Sequence, residues 1–112
     1  MAFNASLDAK NDVAKITLSG ELDAATAGVF KEKVEEAATH NIKRLVLFVE
    51  NLEYMSSAGL RVLIFAKQKI GAKVDIYIVG AQEMVKDTIE NTGFHYSVVM
   101  LDEYNDLEIE HV

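Results

Sequence analysis

Apolar and polar residues change period several times along the chain, and each change predicts an element. Phe3 to Leu7 alternates loosely and Val13-Ala14-Lys15-Ile16-Thr17-Leu18 alternates over most of its length. The polar segment Asp8-Ala9-Lys10-Asn11-Asp12 separates them, so the pair reads as a β-hairpin that Gly20 should end. From Ala24 to about Thr39 the period becomes helical. Phe30, Val34, Ala37 and Ala38 recur at three- and four-residue spacing, with Lys31, Glu32, Lys33, Glu35 and Glu36 on the other face. Asp23 or Thr26 is placed to cap that helix.

Leu45 to Val49 is a continuous apolar run, the pattern of a strand covered on both faces. A second helix should run from Ser57 to Ile70 and stop at Gly71. Val74 to Val79 reads as a strand, Gln82 to Thr92 as a short helix closed by Gly93, and Ser97 to Leu101 as a last strand. The acidic tail from Asp102 is expected to form a final helical turn. The order β-β-α-β-α-β-α-β predicts a small α/β fold in one domain spanning residues 1–112. Its sheet should be mixed, an N-terminal antiparallel hairpin followed by parallel crossovers.

Composition narrows the function. The 112 residues suit a single core, with half apolar and about a quarter charged. Cysteine is absent, which excludes disulfides, thiolate metal sites and cysteine nucleophiles. A net charge of −7 argues against direct nucleic-acid binding and permits a protein partner with a basic face. The apolar runs are too short to predict membrane insertion, and a cytoplasmic location is the expectation. His40, His95 and His111 are scattered without ligand spacing, so no metal is expected. Without a glycine-rich phosphate loop, no cofactor is expected either.

One segment suggests specific chemistry: Tyr54-Met55-Ser56-Ser57-Ala58-Gly59-Leu60-Arg61, where an apolar strand turns into an apolar helix. The simplest reading is that Ser56 or Ser57 caps the helix, worth about 1 kcal/mol. A nucleophile elbow would need glycines flanking the serine and a partner base, and neither pattern is present. A third reading is phosphorylation, since a helix N-terminus offers free amides and a favourable dipole to an anion. At 100° per residue, Gly59, Leu63, Ala66 and Ile70 face the sheet, with Leu60 and Val62 flanking. The opposite side carries Ser57, Arg61 and Gln68, bordered by Ile64 and Phe65, which either pack under a neighbouring helix or form a docking face. Arg61 lies one turn after Ser57, within reach of a phosphate there.

Gly20-Glu21-Leu22-Asp23, the strand Leu45 to Val49, Ser57-Ala58-Gly59-Leu60 and Asn91-Thr92-Gly93-Phe94 occur in one order along nearly the whole chain. Together they resemble a STAS domain, and more closely the free-standing anti-sigma factor antagonists of bacteria. The resemblance implies a non-enzymatic regulator that binds an anti-sigma factor serine kinase and so frees a sigma factor. Phosphorylation at the start of the second helix would release it, and a serine phosphatase would restore it. The phosphorylated serine of that family corresponds to Ser57, and its loop aspartate to Asp23, near the same surface. The expected partner-binding set is Asp23, Ser56, Ser57, Gly59, Arg61, Ile64, Phe65 and Gln68.

The chain departs from the common Asp-Ser-Ser-Gly or Asp-Ser-Thr-Gly pattern. Ser56 stands at the aspartate position, Ala58 at the second hydroxyl, and Arg61 follows Leu60. Ser56 is thereby a second candidate acceptor. The alternative function is a non-switching STAS module in a transport-associated or other signalling complex.

Overall fold

The computed structural model of the chain describes residues 3–71 and 73–104. Strands β1 (Asn4–Lys10) and β2 (Val13–Leu22) form the expected antiparallel hairpin, with Leu7 opposite Ile16 and Lys10 opposite Val13. The turn is Asn11 and Asp12 alone, at φ 52° and 69°. Both residue types tolerate the left-handed region, and two such residues match the twist of the flanking strands. Asp8 to Lys10, expected in the connecting segment, therefore belong to β1; their polarity reflects an outer strand with one exposed face.

Gly20 does not end β2. It sits at φ 87°, and the register against the next strand shifts beside it, so the glycine accommodates an irregularity and the strand continues to Leu22.

Helix α1 spans Ala27–Ala38 and starts three residues later than the periodicity suggests. Residues 24–26 form a turn instead, fixed by Asp23 and Thr26 in a reciprocal arrangement. The Asp23 carboxylate accepts the Thr26 amide at 3.1 Å, and the Thr26 hydroxyl accepts the Asp23 amide at 2.9 Å. Phe30, Val34 and Ala37 are buried as the spacing requires.

Strand β3 (Arg44–Met55) is much longer than its apolar core at 45–49. Beyond Val49 only Leu52 and Met55 are buried, while Glu50, Asn51, Glu53 and Tyr54 are exposed. One inward residue in three carries no strand periodicity, which hides this half of β3 in the sequence. It is nevertheless paired with the end of β2, Ser19 with Asn51 and Leu22 with Met55.

Helix α2 (Ser57–Ile70) has the expected bounds and stops at Gly71, φ 104°. Then follow β4 (Asp75–Val79), α3 (Glu83–Asn91), one turn of 3-10 helix at Phe94–Ser97, and β5 (Val99–Leu101). Ser97 thus ends the 3-10 turn and is not the first residue of the last strand. Of the acidic tail expected as a helical turn, Asp102 to Tyr104 are non-helical, and residues 105–112 lie outside the described residues.

The sheet order is β1-β2-β3-β4-β5, with β1 antiparallel and every later pair parallel. Residues from all three helices join Ile16, Leu45, Leu47, Ile76 and Ile78 in one core. Val13, Val46, Tyr77 and Val79 form a second cluster, with Phe48, Val99, Leu101 and Tyr104 packed against it. Both faces of the first half of β3 are covered, as its unbroken apolar run predicts, but helices contribute to only one of the clusters. On the other, the Tyr104 ring lies 5.1 Å from that of Phe48, and the Lys15 ammonium lies 5.0 Å from the Tyr104 ring centre.

Candidate functional site

Parallel strands β2 and β3 end together, and the chain leaves the sheet at Ser56. The Ser56 amide donates to the Leu22 carbonyl at 2.8 Å, and its carbonyl accepts the Leu60 amide at 3.0 Å. Ser56 is extended, at φ −84° and ψ 175°, and its hydroxyl accepts the Gly59 amide at 3.5 Å. That geometry makes Ser56 the helix cap, although the bond is at the long limit for its type.

Ser57 is then the first helical residue. Its side chain is exposed and makes no hydrogen bond among the described residues. The two serines, interchangeable as caps by sequence, are thus distinguished: Ser56 is held by three hydrogen bonds, and the Ser57 hydroxyl is available. The amides of the first helical turn have no intrahelical acceptor and carry the positive end of the helix dipole.

Gly59 is buried. A Cβ there would lie 2.6 Å from Leu22 Cγ, 2.8 Å from Leu22 Cδ2 and 3.2 Å from Met55 Cγ. It offers no side chain to a partner; its role is to let the first turn of α2 sit directly on the ends of β2 and β3.

On the outer side of α2, Ser57, Arg61, Ile64 and Gln68 recur at successive turns and are all exposed, Ile64 at 38%. Arg61 makes no ion pair among the described residues. Phe65 is not part of this stripe. It is half-buried against the core, and Lys31 of α1 places its ammonium 4.8 Å from the ring centre. Of the two apolar residues bordering the polar stripe, Phe65 packs beside a neighbouring helix and Ile64 remains open to a partner.

Asp23 directly follows the Leu22 carbonyl that anchors Ser56 and is half-buried. Its Oδ1 accepts the amides of Ala25 and Thr26 at 2.9 and 3.1 Å. The Thr26 hydroxyl in turn donates to the Glu21 carbonyl at 2.9 Å. One carboxylate oxygen therefore shapes the loop, and Oδ2 takes no part in these bonds.

The sequence reading missed a neighbouring feature. Glu21, Glu53, Tyr54 and Met84 line a cavity of about 360 Å³. Tyr54 is 39% and Met84 56% exposed, both unusually open for large apolar side chains. The extension of β3 to Met55 and its register bring Glu21 and Tyr54 together, and neither is legible in the local pattern.

His40 and His95 make no hydrogen bond to Ser56 or Ser57, and His95 instead stacks on Tyr96 with ring centres 4.0 Å apart. Among the described residues no group of three His, Asp or Glu side chains is placed to hold a metal ion. No helix among them is long and apolar enough to cross a membrane.

The family model of the STAS domain matches residues 4–107. The anti-sigma-F factor antagonist RsfB of Mycobacterium tuberculosis is 30% identical over 83 residues, covering 74% of this chain and 68% of RsfB. An anti-sigma factor antagonist from Mycobacterium paratuberculosis superposes with a TM-score of 0.85 at 20% identity, over 94% of this chain and 90% of that one. The Bacillus cell-fate determinant SpoIIAA, in its phosphorylated form, superposes with a TM-score of 0.70 at 16% identity, over 96% and 95% of the two chains.

Proposed function

Because the chain belongs to the STAS domain family, we propose that it is an anti-sigma factor antagonist switched by phosphorylation of Ser57. It binds an anti-sigma factor that is also a serine kinase, and in doing so releases a sigma factor for transcription. Phosphorylation ends the complex and a serine phosphatase restores it. The protein itself is regulatory rather than catalytic. Support comes from RsfB, whose name describes the same role at 30% identity, and from the site geometry.

The observation that carries the reading is the division of labour between the two serines. Ser56 caps α2, so Ser57 presents a free hydroxyl at the first helical position. A phosphate there gains from the unsatisfied amides of the first turn and from Arg61 one turn on, so the fold tolerates it. It also adds about −1.5 to −2 charge and bulk to the stripe Ser57, Arg61, Ile64, Gln68. The domain stays folded while its docking face changes. Asp23, beside the same turn, completes the proposed contact region.

Ser56 in place of the family's aspartate fits the same scheme. A serine cap keeps the turn but leaves out a negative charge that would repel a phosphate on the adjacent residue.

Affinity capture from the native cell, followed by phosphopeptide mass spectrometry, tests this proposal. The expected result is a serine kinase bound to the Ser57→Ala form, lost with Ser57→Asp, and phosphate on Ser57 of the unaltered protein. Capture of transporter subunits insensitive to both changes would replace the proposal with a non-switching module.

A further inference from the structure

Arg61 is the charged member of the outer stripe on α2, exposed and without an ion pair among the described residues. The chain's other arginine, Arg44, lies 3.4 Å from Asp75. An unpaired guanidinium is notable in a chain with 18 acidic residues against 11 basic ones. Helix α2 also differs from its neighbours in charge. Both α1 and α3 mix signs, whereas α2 carries Arg61, Lys67 and Lys69 and no acidic residue from Ser57 to Ile70. Lys67 and Lys69 lie in the last turn, where the helix dipole favours a cation, and Lys67 donates to the Val74 carbonyl at 3.3 Å. Arg61 has neither reason for its place, one turn after Ser57.

We propose that Arg61 is exchanged between two anions: a carboxylate of the protein partner in the docked state, and the phosphate on Ser57 in the released state. The inference rests on the reading that Ser57 is phosphorylated, and concerns how that phosphate acts. An acid followed by a base at i, i+4 is the better order for a helix pair, and phosphorylated Ser57 with Arg61 has it. The guanidinium takes two phosphate oxygens through parallel hydrogen bonds. The phosphate carries more charge than a carboxylate and is held on the same helix, so it outcompetes the partner's group without loss of translational freedom. Release then combines the withdrawal of a contact with repulsion between the partner's carboxylate and the phosphate's remaining charge. A partner carboxylate suits α2, which has no acidic residue to repel it. A second copy of this stripe would set Arg61 against a helix equally without carboxylates. The overall charge of −7 acts at long range; the Arg61 contact is local and forms after encounter.

Two measurements test the exchange, one without any partner. In the first, phosphoserine is built into position 57 during synthesis and the Arg61 Nε–H signal is followed by NMR. It should shift, and its hydrogen should exchange with water more slowly than in the unmodified protein. An unchanged signal overturns the proposal. In the second, the captured kinase is titrated with the unaltered protein and with Arg61→Gln, each unmodified and phosphorylated at Ser57, after melting curves confirm that all are folded. Arg61→Gln should weaken the unmodified complex about tenfold. Phosphorylation should then weaken the variant only about tenfold more, against about a hundredfold for the unaltered protein. If phosphorylation costs both proteins the same factor, bulk and repulsion act alone, the exchange is wrong and the functional reading stands. If phosphorylation leaves the affinity of the unaltered protein unchanged, the functional reading fails and the exchange falls with it.

Discussion

Replacing Gly59 with alanine is the sharpest test of how α2 is seated. The added methyl would lie 2.6 Å from Leu22 Cγ and 2.8 Å from Cδ2, with Met55 Cγ at 3.2 Å. Leu22 is fully buried, and Cγ is the branch point of its side chain, so the clash is relieved only by a rotamer change or a helix shift. Overpacking of this kind costs about 1–3 kcal/mol. Alanine recovers some of this, because glycine in a helix interior is worse by about 0.5–1 kcal/mol, and Gly59 lies in the first turn, where the gain is smaller. The net expectation is a loss of about 1–2 kcal/mol, a fall in melting temperature of roughly 3–10 °C for a chain of this size. Urea denaturation followed by circular dichroism measures it. A double-mutant cycle with Leu22→Ala isolates the cause. Leu22→Ala alone should cost about 2–5 kcal/mol, but in its presence Gly59→Ala should cost nothing or stabilise. Equal cost of Gly59→Ala in both backgrounds, or a stabilised single variant, would refute the close-approach argument.

Ser56→Ala should destabilise by only about 0.5 kcal/mol in the same denaturation assay, the low end for a cap, because its bond to the Gly59 amide is 3.5 Å long. Ser56→Asp should stabilise the unmodified protein by about 0.3–1 kcal/mol by charge at the helix N-terminus, and kinetic phosphorylation assays should show Ser57 still modified. Asp23→Ala removes the acceptor of the Ala25 and Thr26 amides; a loss of about 1–2 kcal/mol is expected, with faster amide exchange in the first turn of α1. Ile64→Asp should leave the melting curve within about 0.5 kcal/mol of the original, since the side chain is exposed, yet weaken partner binding in calorimetry. Association with a basic partner, measured by stopped flow, should slow as salt is raised, because the chain carries −7.

Where one period persists over several residues, the sequence describes the structure closely. Helix α2 has the bounds that its apolar spacing and Gly71 indicate, and Leu45, Val46 and Leu47 are buried on both faces as an unbroken apolar run implies. Tertiary pairing decides the places where the reading falls short. Asp8, Lys10 and Asn51 are polar, yet neighbouring strands hold them in the sheet. Ala24 to Thr26 fit a helix by composition, but hydrogen bonds between Asp23 and Thr26 hold them as a turn. At the site, spacing identified the turn and the outer stripe of α2. It did not separate the capping serine from the free one, because both side chains are chemically equal until the backbone angles at Ser56 are fixed. Nor did it show that Gly59 is covered by Leu22, or that Tyr54 and Met84, on two different elements, line one cavity.

The central claim is that a phosphate on Ser57 controls docking without unfolding the domain. Its most direct test compares the dissociation constants of the purified unmodified and Ser57-phosphorylated proteins for the captured anti-sigma factor kinase, with circular dichroism recorded on both. The account predicts identical spectra and binding weakened about a hundredfold, or about 2.8 kcal/mol, by phosphorylation. Equal affinity of the two forms would contradict it, as would loss of binding that accompanies loss of folded structure.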